Sequence, residues 1–325
     1  MGQWPTPFFD QLIVPKFVPH FFASLGEGNL FCRYWPGHSL LLSPFAAMGV
    51  PWLYNILIAV ACLYVVKYQC RFLFPKNPHA HVWGTMFLIA SPNFLVNAVS
   101  FYPNTFYVFS ALTFSALLLK PTGPRLLCAG FLGSIAVVQH QPVPHIFFVM
   151  PWFLWLLRQE KGFRKVLILG SAYLPIGIGL GLGWLFWQLH HELPNIRGET
   201  VSSIFGYLTS TPDTDSRIYL FFSRFVGLFK IWAWAAPGLV VFAVWGFVRN
   251  RKSDTVLPIF GYSALTVFIG YFFTPYDSGH GWGFRYFEGA WGTLIILGVA
   301  GVLELQNQAR EQNVFKKGGL WANKV

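Results

Sequence analysis

"RYWPGHSLLLSPFAAMGVPWLYN", residues 33–55, joins a charged and aromatic corner directly to an apolar segment that Pro44 and Pro51 interrupt. Pro36-Gly37 makes a turn. Tyr34 and Trp35 suit the headgroup layer, where amphipathic rings settle. The segment from Ser39 to Met48 is shorter than the roughly 20 residues a helix needs to cross a bilayer. It reads as a re-entrant or interfacial helix that ends near Gly49-Val50-Pro51. Non-helical backbone at membrane depth survives only where protein or a water-filled cavity surrounds it. The stretch is therefore expected to line a cavity, with Arg33, Tyr34 and His38 at its lip. A plain belt of interfacial aromatics is the simpler reading of the same residues.

The rest of the chain agrees with a membrane setting. It is 54% hydrophobic and 11% charged, with 35 Phe and 14 Trp among 325 residues, whereas a soluble domain carries about 25% charged residues. A net charge of +11 invites a nucleic-acid reading. The Lys and Arg, however, lie in short clusters between apolar runs, a topology pattern rather than a binding face, so no nucleic acid is expected. Cys32, Cys62, Cys70 and Cys128 form no CxxC pair, which argues against a disulfide framework or zinc site.

Apolar runs at 52–66, 82–101, 104–119, 126–139, 145–157, 166–187, 227–247, 256–272 and 287–303 predict an all-α integral membrane protein. It would have about nine transmembrane segments, with short re-entrant or interfacial helices in the outer loops. Ser91-Pro92 threatens the second run. Walking the loops alternately puts Lys67, Arg71, Lys76, Lys120, Arg125, Arg158, Lys161, Arg164, Lys165, Arg249, Arg251, Lys252, Arg310, Lys316, Lys317 and Lys324 on one side. Lys16, Arg33, Arg197, Arg217, Arg224, Lys230 and Arg285 fall on the other. The richer side is cytoplasmic by the positive-inside rule. Eight of the twelve acidic residues and most histidines fall outside, and so do the long loops. Three regions follow: an outer loop with an interfacial helix at 1–50, a multi-spanning domain at 51–303, and a basic cytoplasmic tail at 304–325. Residues 1–40 then sit outside with no span before them and no signal-peptide pattern, so an upstream helix is expected.

Three further stretches carry polar groups at the outer rim. "YDSGHGWGFRYFEGAW" (276–291) sets Asp277, His280, Arg285, Tyr286 and Glu288 among glycines that let backbone approach a ligand. A mid-membrane charge costs about 2.5–3.5 kcal/mol on insertion scales, so these groups should face an interior or the interface. Arg is the residue for bidentate phosphate contact; an Arg285–Glu288 pair one turn apart is the structural alternative. "VVQHQPVPHIFF" (137–148) places His140 and His145 about an outer turn. The loop 188–226 contains "TPDTDSR" and reads as solvated, its second half suited to the interface. The outer carboxylates allow a divalent ion, although no spacing specifies one and no metal site is assigned. "GIGLGLGW" (177–184) lies within a span and follows no strand, so it reads as helix packing rather than dinucleotide binding.

The opening stretch resembles the end of the first outer loop in GT-C membrane glycosyltransferases, the superfamily of bacterial protein mannosyltransferases and lipid A aminoarabinose transferases. "IASPNFLVNAVSFYPNTFYVFSALTFSALLL" (89–119) is similar to their Ser-Pro-containing span and its successor. "HQPVPHIFFVMPWFLWLL" (140–157) is similar to their paired-helix turn, and "GHGWGFRYFEGAWGTLIILGVAG" (279–301) to their Gly-x-Arg-Tyr stretch entering a late span. The motifs occur in the family's order over most of the chain. The resemblance implies a sugar donor on a polyprenyl phosphate and an outer-loop carboxylate as general base. It also implies Arg, His or Tyr groups at the membrane edge to hold the phosphate. Arg285 takes the phosphate role by motif, with Arg33, Tyr34, His38, His140, His145, His280 and Tyr286 as substrate-binding neighbours. The family's acidic pair after its first span is absent, which leaves Asp10, Asp277 and Glu288 as candidate bases. The acceptor would be a lipid, glycan or protein, and the site would lie on the outer face of a bacterial inner membrane. The rival reading is a lipid or polysaccharide transporter, or a subunit of a membrane assembly. The absence of an internal repeat and the clustering of charge at one rim argue against it.

Overall fold

The computed structural model describes residues 22–24, 30–32, 35–139, 142–190, 214–253, 255–272 and 287–322. Two three-residue strands, β1 (Phe22–Ser24) and β2 (Leu30–Cys32), pair antiparallel within the expected outer loop. The sequence reading had this stretch as outer loop, with no strand in an all-α protein. The lip segment is helical, α1 (Gly37–Ala47). At about 16 Å for 11 residues it is too short to cross. It stops at Gly49, whose φ of 75° reverses the chain.

α2 (Leu53–Leu73) is 21 residues long, about 32 Å, enough for a bilayer core. The run at 82–101 is two helices, α3 (Ala80–Ile89) and α4 (Pro92–Ala98). Pro92 has no N–H and forces Ser91 into extended backbone, ψ 109°. α5 (Asn104–Leu118), α6 (Gly123–Gln139) and α7 (Val143–Leu157) follow in close succession. α8 (Gly162–Ser171) continues through one turn, α9 (Leu174–Ile176), into a π-helix at Gly177–Leu182 and then α10 (Gly183–His190). Among the π-helix glycines only Gly181 meets a neighbour, Trp35 of the lip; Gly177 and Gly179 face open space. Helix packing thus accounts for one glycine of that run.

Two corrections concern the second half. Part of the loop expected at 188–226 is helical, since α11 (Thr214–Trp234) begins at Thr214. The span expected at 227–247 is not one helix: α11 and α12 (Leu239–Asn250) meet at 105°, with Gly238 at φ 76° in the turn. α13 (Leu257–Phe272) and α14 (Glu288–Ala322) complete the chain. Among the described residues three helices are long and apolar enough to cross a membrane, or up to four if the bent pair is one span, and five apolar helices are shorter. The helices and their exposed Leu, Ile, Phe and Val side chains make this an integral α-helical membrane protein.

α14 is the central element: 83% of its apolar window is buried, against 11% for the peripheral segment Gly162–Leu182. Close packing there depends on glycine. A Cβ at Gly246 of α12 would strike the Leu297 carbonyl, and one at Gly301 of α14 would strike the Phe242 carbonyl. The helices also sort polar groups into two rims. Arg249 meets Glu304 at 3.9 Å, Arg125 bonds Tyr68 at 2.7 Å, and Lys120 lies 5.1 Å over Phe72. Glu288 is sixteen residues before Glu304 on α14, about 24 Å along the axis. Asn55, at the start of α2, is likewise remote from Tyr68 and Phe72.

Candidate functional site

The polar rim is built around the corner 99–103 between α4 and α5. Its carbonyls are deprived of helical partners and are taken up by side chains from elsewhere. Asn55 Nδ2 on α2 donates to Ser100 O (2.6 Å) and Tyr102 O (2.9 Å). His38 Nε2 on α1 donates to Phe101 O at 2.7 Å. A carbonyl only accepts, so this nitrogen carries the proton. Nδ1 is then the acceptor for Gln139 Nε2 at 3.1 Å. His38 is held as the neutral Nε2–H tautomer, with the Tyr54 ring edge-on at 5.7 Å. Gly37 makes this seat possible, because a Cβ there would lie 2.5 Å from the Val138 carbonyl at the end of α6.

The corner continues to a buried carboxylate. Ser100 Oγ donates to Asn97 O (3.0 Å). Asn104 Nδ2 donates to Asn97 Oδ1 (3.0 Å), which fixes the orientation of the Asn97 amide. Asn97 Nδ2 then donates to Asn93 O (2.8 Å) and to Glu288 Oε1 (3.1 Å). Glu288 is 0% exposed. A carboxylate withdrawn from water needs such donors, because uncompensated burial of a charge costs several kcal/mol. Glu288 therefore sits at the head of the central helix, joined by hydrogen bonds to the corner that the lip helix holds.

His145 is buried inside α7 rather than displayed on a turn. Its Nε2 lies 2.8 Å from the Tyr173 hydroxyl, with Phe114 edge-on at 5.6 Å. Gly133 of α6 leaves the room for this pair, since a Cβ there would meet both side chains. Of the residues singled out from sequence, the structure thus places His38 and Glu288 on one network and His145 in a separate pair. Asp10, Arg33, Tyr34, His140, Asp277, His280, Arg285 and Tyr286 lie outside the described residues. Among the described residues no group of three or more His, Cys, Asp or Glu is arranged to hold a metal.

Sequence reasoning missed the amides. Asn93 and Asn97, four apart in an apolar run, and Asn104 beyond them are all signals of an inward polar face. It also set Arg224 in a solvated loop. Arg224 is 1% exposed on α11, with Ser223 Oγ at 3.4 Å.

No protein-family model and no curated protein matches the sequence. Among solved structures, the apo form of ArnT from Cupriavidus metallidurans superposes with a TM-score of 0.57 at 15% identity, covering 87% of this chain and 52% of ArnT. ArnT from the same organism bound to undecaprenyl phosphate gives 0.61, again at 15% identity, over 88% of this chain and 53% of that one. The chain spans about half the length of these proteins. Over most of its length it shares the fold of these two structures.

Proposed function

We propose that this protein is a membrane glycosyltransferase that moves a sugar from a polyprenyl-phosphate donor to a lipid, glycan or protein acceptor. The observation that carries this reading is the likeness of nearly nine-tenths of the chain to ArnT with undecaprenyl phosphate bound. The buried polar rim supports it, because an interfacial reaction on a lipid-linked sugar needs its polar groups at one edge of the membrane. The basic clusters at the opposite rim support a site facing outward from the bacterial inner membrane, with about nine crossings.

In this reading an outer carboxylate takes the proton of the acceptor hydroxyl. The freed oxygen attacks the anomeric carbon with inversion. The bond from that carbon to the phosphate oxygen breaks, and polyprenyl phosphate leaves with the electron pair. Glu288 is our first candidate for the base because it is buried at this rim and held by Asn97; Asp10 and Asp277 are the others. Arg33 and Arg285 would meet the phosphate and its developing charge, together with Tyr34, Tyr286, His140 and His280. Arg224 joins them on the strength of its burial.

The test is transfer from a labelled polyprenyl-phosphate sugar by the native protein purified from its source membranes. Glu288→Gln is expected to lower the rate by about 10²-fold or more, the usual range for a general base, and Arg285→Ala to lower it as well. The Asp10→Asn and Asp277→Asn variants are measured alongside. If none of the three carboxylates matters, the mechanism fails. Substrate flux across vesicles with no sugar transfer would establish the transporter reading instead.

A further inference from the structure

We infer that His38 is a positioning residue for Glu288, acting through the 97–104 corner. The inference deepens the transferase reading, in which Glu288 belongs to the site, and it changes the part expected of His38. Both ring nitrogens are engaged, one on Phe101 O and one on Gln139. The side chain therefore ties the lip helix to the corner instead of presenting a free donor to phosphate.

The path is short and every link is a hydrogen bond or a few residues of chain. His38 grips Phe101 O, and Asn55 grips the carbonyls on either side of it. Ser100 Oγ ties the corner back to Asn97 O and also accepts the Tyr102 N–H at 3.2 Å. Asn104 closes the corner onto Asn97 Oδ1, and the same Asn97 amide holds Glu288 Oε1. Four side chains from α1, α2, α4 and α5 thus clamp eight residues of chain. The amide that orients the carboxylate cannot turn without losing Asn104. Releasing the His38 anchor frees the middle of the clamp, and the disturbance reaches Glu288 through Asn97. The α1 helix is seated on α2 and α6 by Leu41, Leu42 and Phe45, which pack against Tyr54, Phe106 and Ala136, and His38 is the side chain through which that seated helix grips the corner.

The coupling is read without substrate. The native protein in lipid nanodiscs is treated with the apolar reagent dicyclohexylcarbodiimide, and labelling of Glu288 is followed by mass spectrometry. Glu304, about 24 Å down the same helix, is the internal reference. His38→Ala is expected to raise the labelling rate of Glu288 several-fold relative to Glu304. His38→Gln, whose amide N–H can replace Nε2–H toward Phe101 O, should stay close to wild type. Asn55→Ala, which loosens the same corner from another helix, should act like His38→Ala and keeps the test open if that variant folds poorly. An unchanged Glu288 rate in both alanine variants overturns the proposal. Equal rises at Glu288 and Glu304 mean general loosening and overturn it too. In protein shown to transfer sugar, His38→Ala should lower kcat by tenfold or more with little change in KM, and His38→Gln should restore it. A displacement of about 1 Å is enough for such a loss. Absence of transfer in every form would sink the enzyme reading and leave the labelling result standing on its own.

Discussion

At the scale of single residues, His38 is where chemistry and conformation meet. Burial pushes its pKa below the usual 6.5, and the hydrogen bond to the Phe101 carbonyl only partly offsets this. The groups facing it are the Tyr54 ring from α2, the Gln139 amide from α6 and that carbonyl; none of them carries a charge. The folded state thus prefers the neutral ring, while the unfolded chain takes up a proton near pH 6.5. The sign follows: stability from this site is complete above about pH 6.5 and is lost as the pH falls below it, because the unfolded state then binds more protons. Protonation also places an N–H on Nδ1 against the Gln139 amide donor. Thermal unfolding of wild type and His38→Gln between pH 5 and 8 checks this. The wild type should lose midpoint relative to the variant on the acid side and not on the alkaline side. A constant difference across the range would show that His38 does not titrate in this seat. The place of His38 was legible in the sequence, since a histidine beside Pro-Gly at an apolar lip is conspicuous. Its partner was not legible, because Phe101 lies 63 residues away and a backbone carbonyl has no side-chain signature. Asn97 escaped for a related reason: one amide in an apolar run reads as tolerated until its four-residue spacing from Asn93 is seen to place both on one face.

At the scale of elements, the broken helices matter most. The break between α3 and α4 was readable, because proline cannot donate and restricts the residue before it. The 105° bend between α11 and α12 was marked as well, by Pro237-Gly238 within 227–247, but the sequence reading carried one span through it. The turn itself is made by Gly238 at φ 76°, and its anchor comes from far away in sequence. That anchor is Ser91, whose hydroxyl donates to Phe87 O at 2.7 Å and accepts the Ala236 N–H at 3.0 Å. One side chain thus satisfies a carbonyl from one break and an amide from the other, where neither has water to turn to. Both groups are buried. Ser91→Ala should therefore leave the Ala236 N–H without its acceptor and cost about 1–3 kcal/mol, read as a lower unfolding midpoint. Ser91→Cys keeps a weak donor and acceptor and should recover part of the loss. Equal midpoints for wild type and Ser91→Ala would show that the two breaks are held together by apolar packing alone.

At the scale of the whole molecule, the separation into two rims is what gives the fold a direction. Lys120, Arg125 and Arg249 gather at one end on aromatic and carboxylate partners. His38, Asn55, Asn97, Asn104 and Glu288 gather at the other. Contacts of α14 with α2 and α3 tie the levels together: Gly84 of α3 sits against Val66 and Cys70 of α2 and against Val299 of α14. The charge count from sequence had already divided the loops the same way, since alternating spans and basic clusters are a one-dimensional record of topology. The count could not show that the uncharged amides also segregate, because Asn and Gln add nothing to it. If the basic rim faces the cytoplasm, the amide rim and its carboxylate face outward. Single cysteines decide this in a background where Cys32, Cys62, Cys70 and Cys128 are replaced by serine or alanine. A thiol at Ser39, exposed on α1, and a thiol at Lys252, exposed after α12, mark the two rims. In intact spheroplasts a membrane-impermeant maleimide should label Ser39→Cys and spare Lys252→Cys, and permeabilisation should make the second reactive. The reverse pattern would turn the amide rim toward the cytoplasm. The positive-inside argument would then fail for this chain, and the donor would have to be met from the inner leaflet. Labelling of both thiols in sealed cells would mean that the two rims are not on opposite sides of the membrane, against the 24 Å or so of buried central helix that separates Glu288 from Glu304.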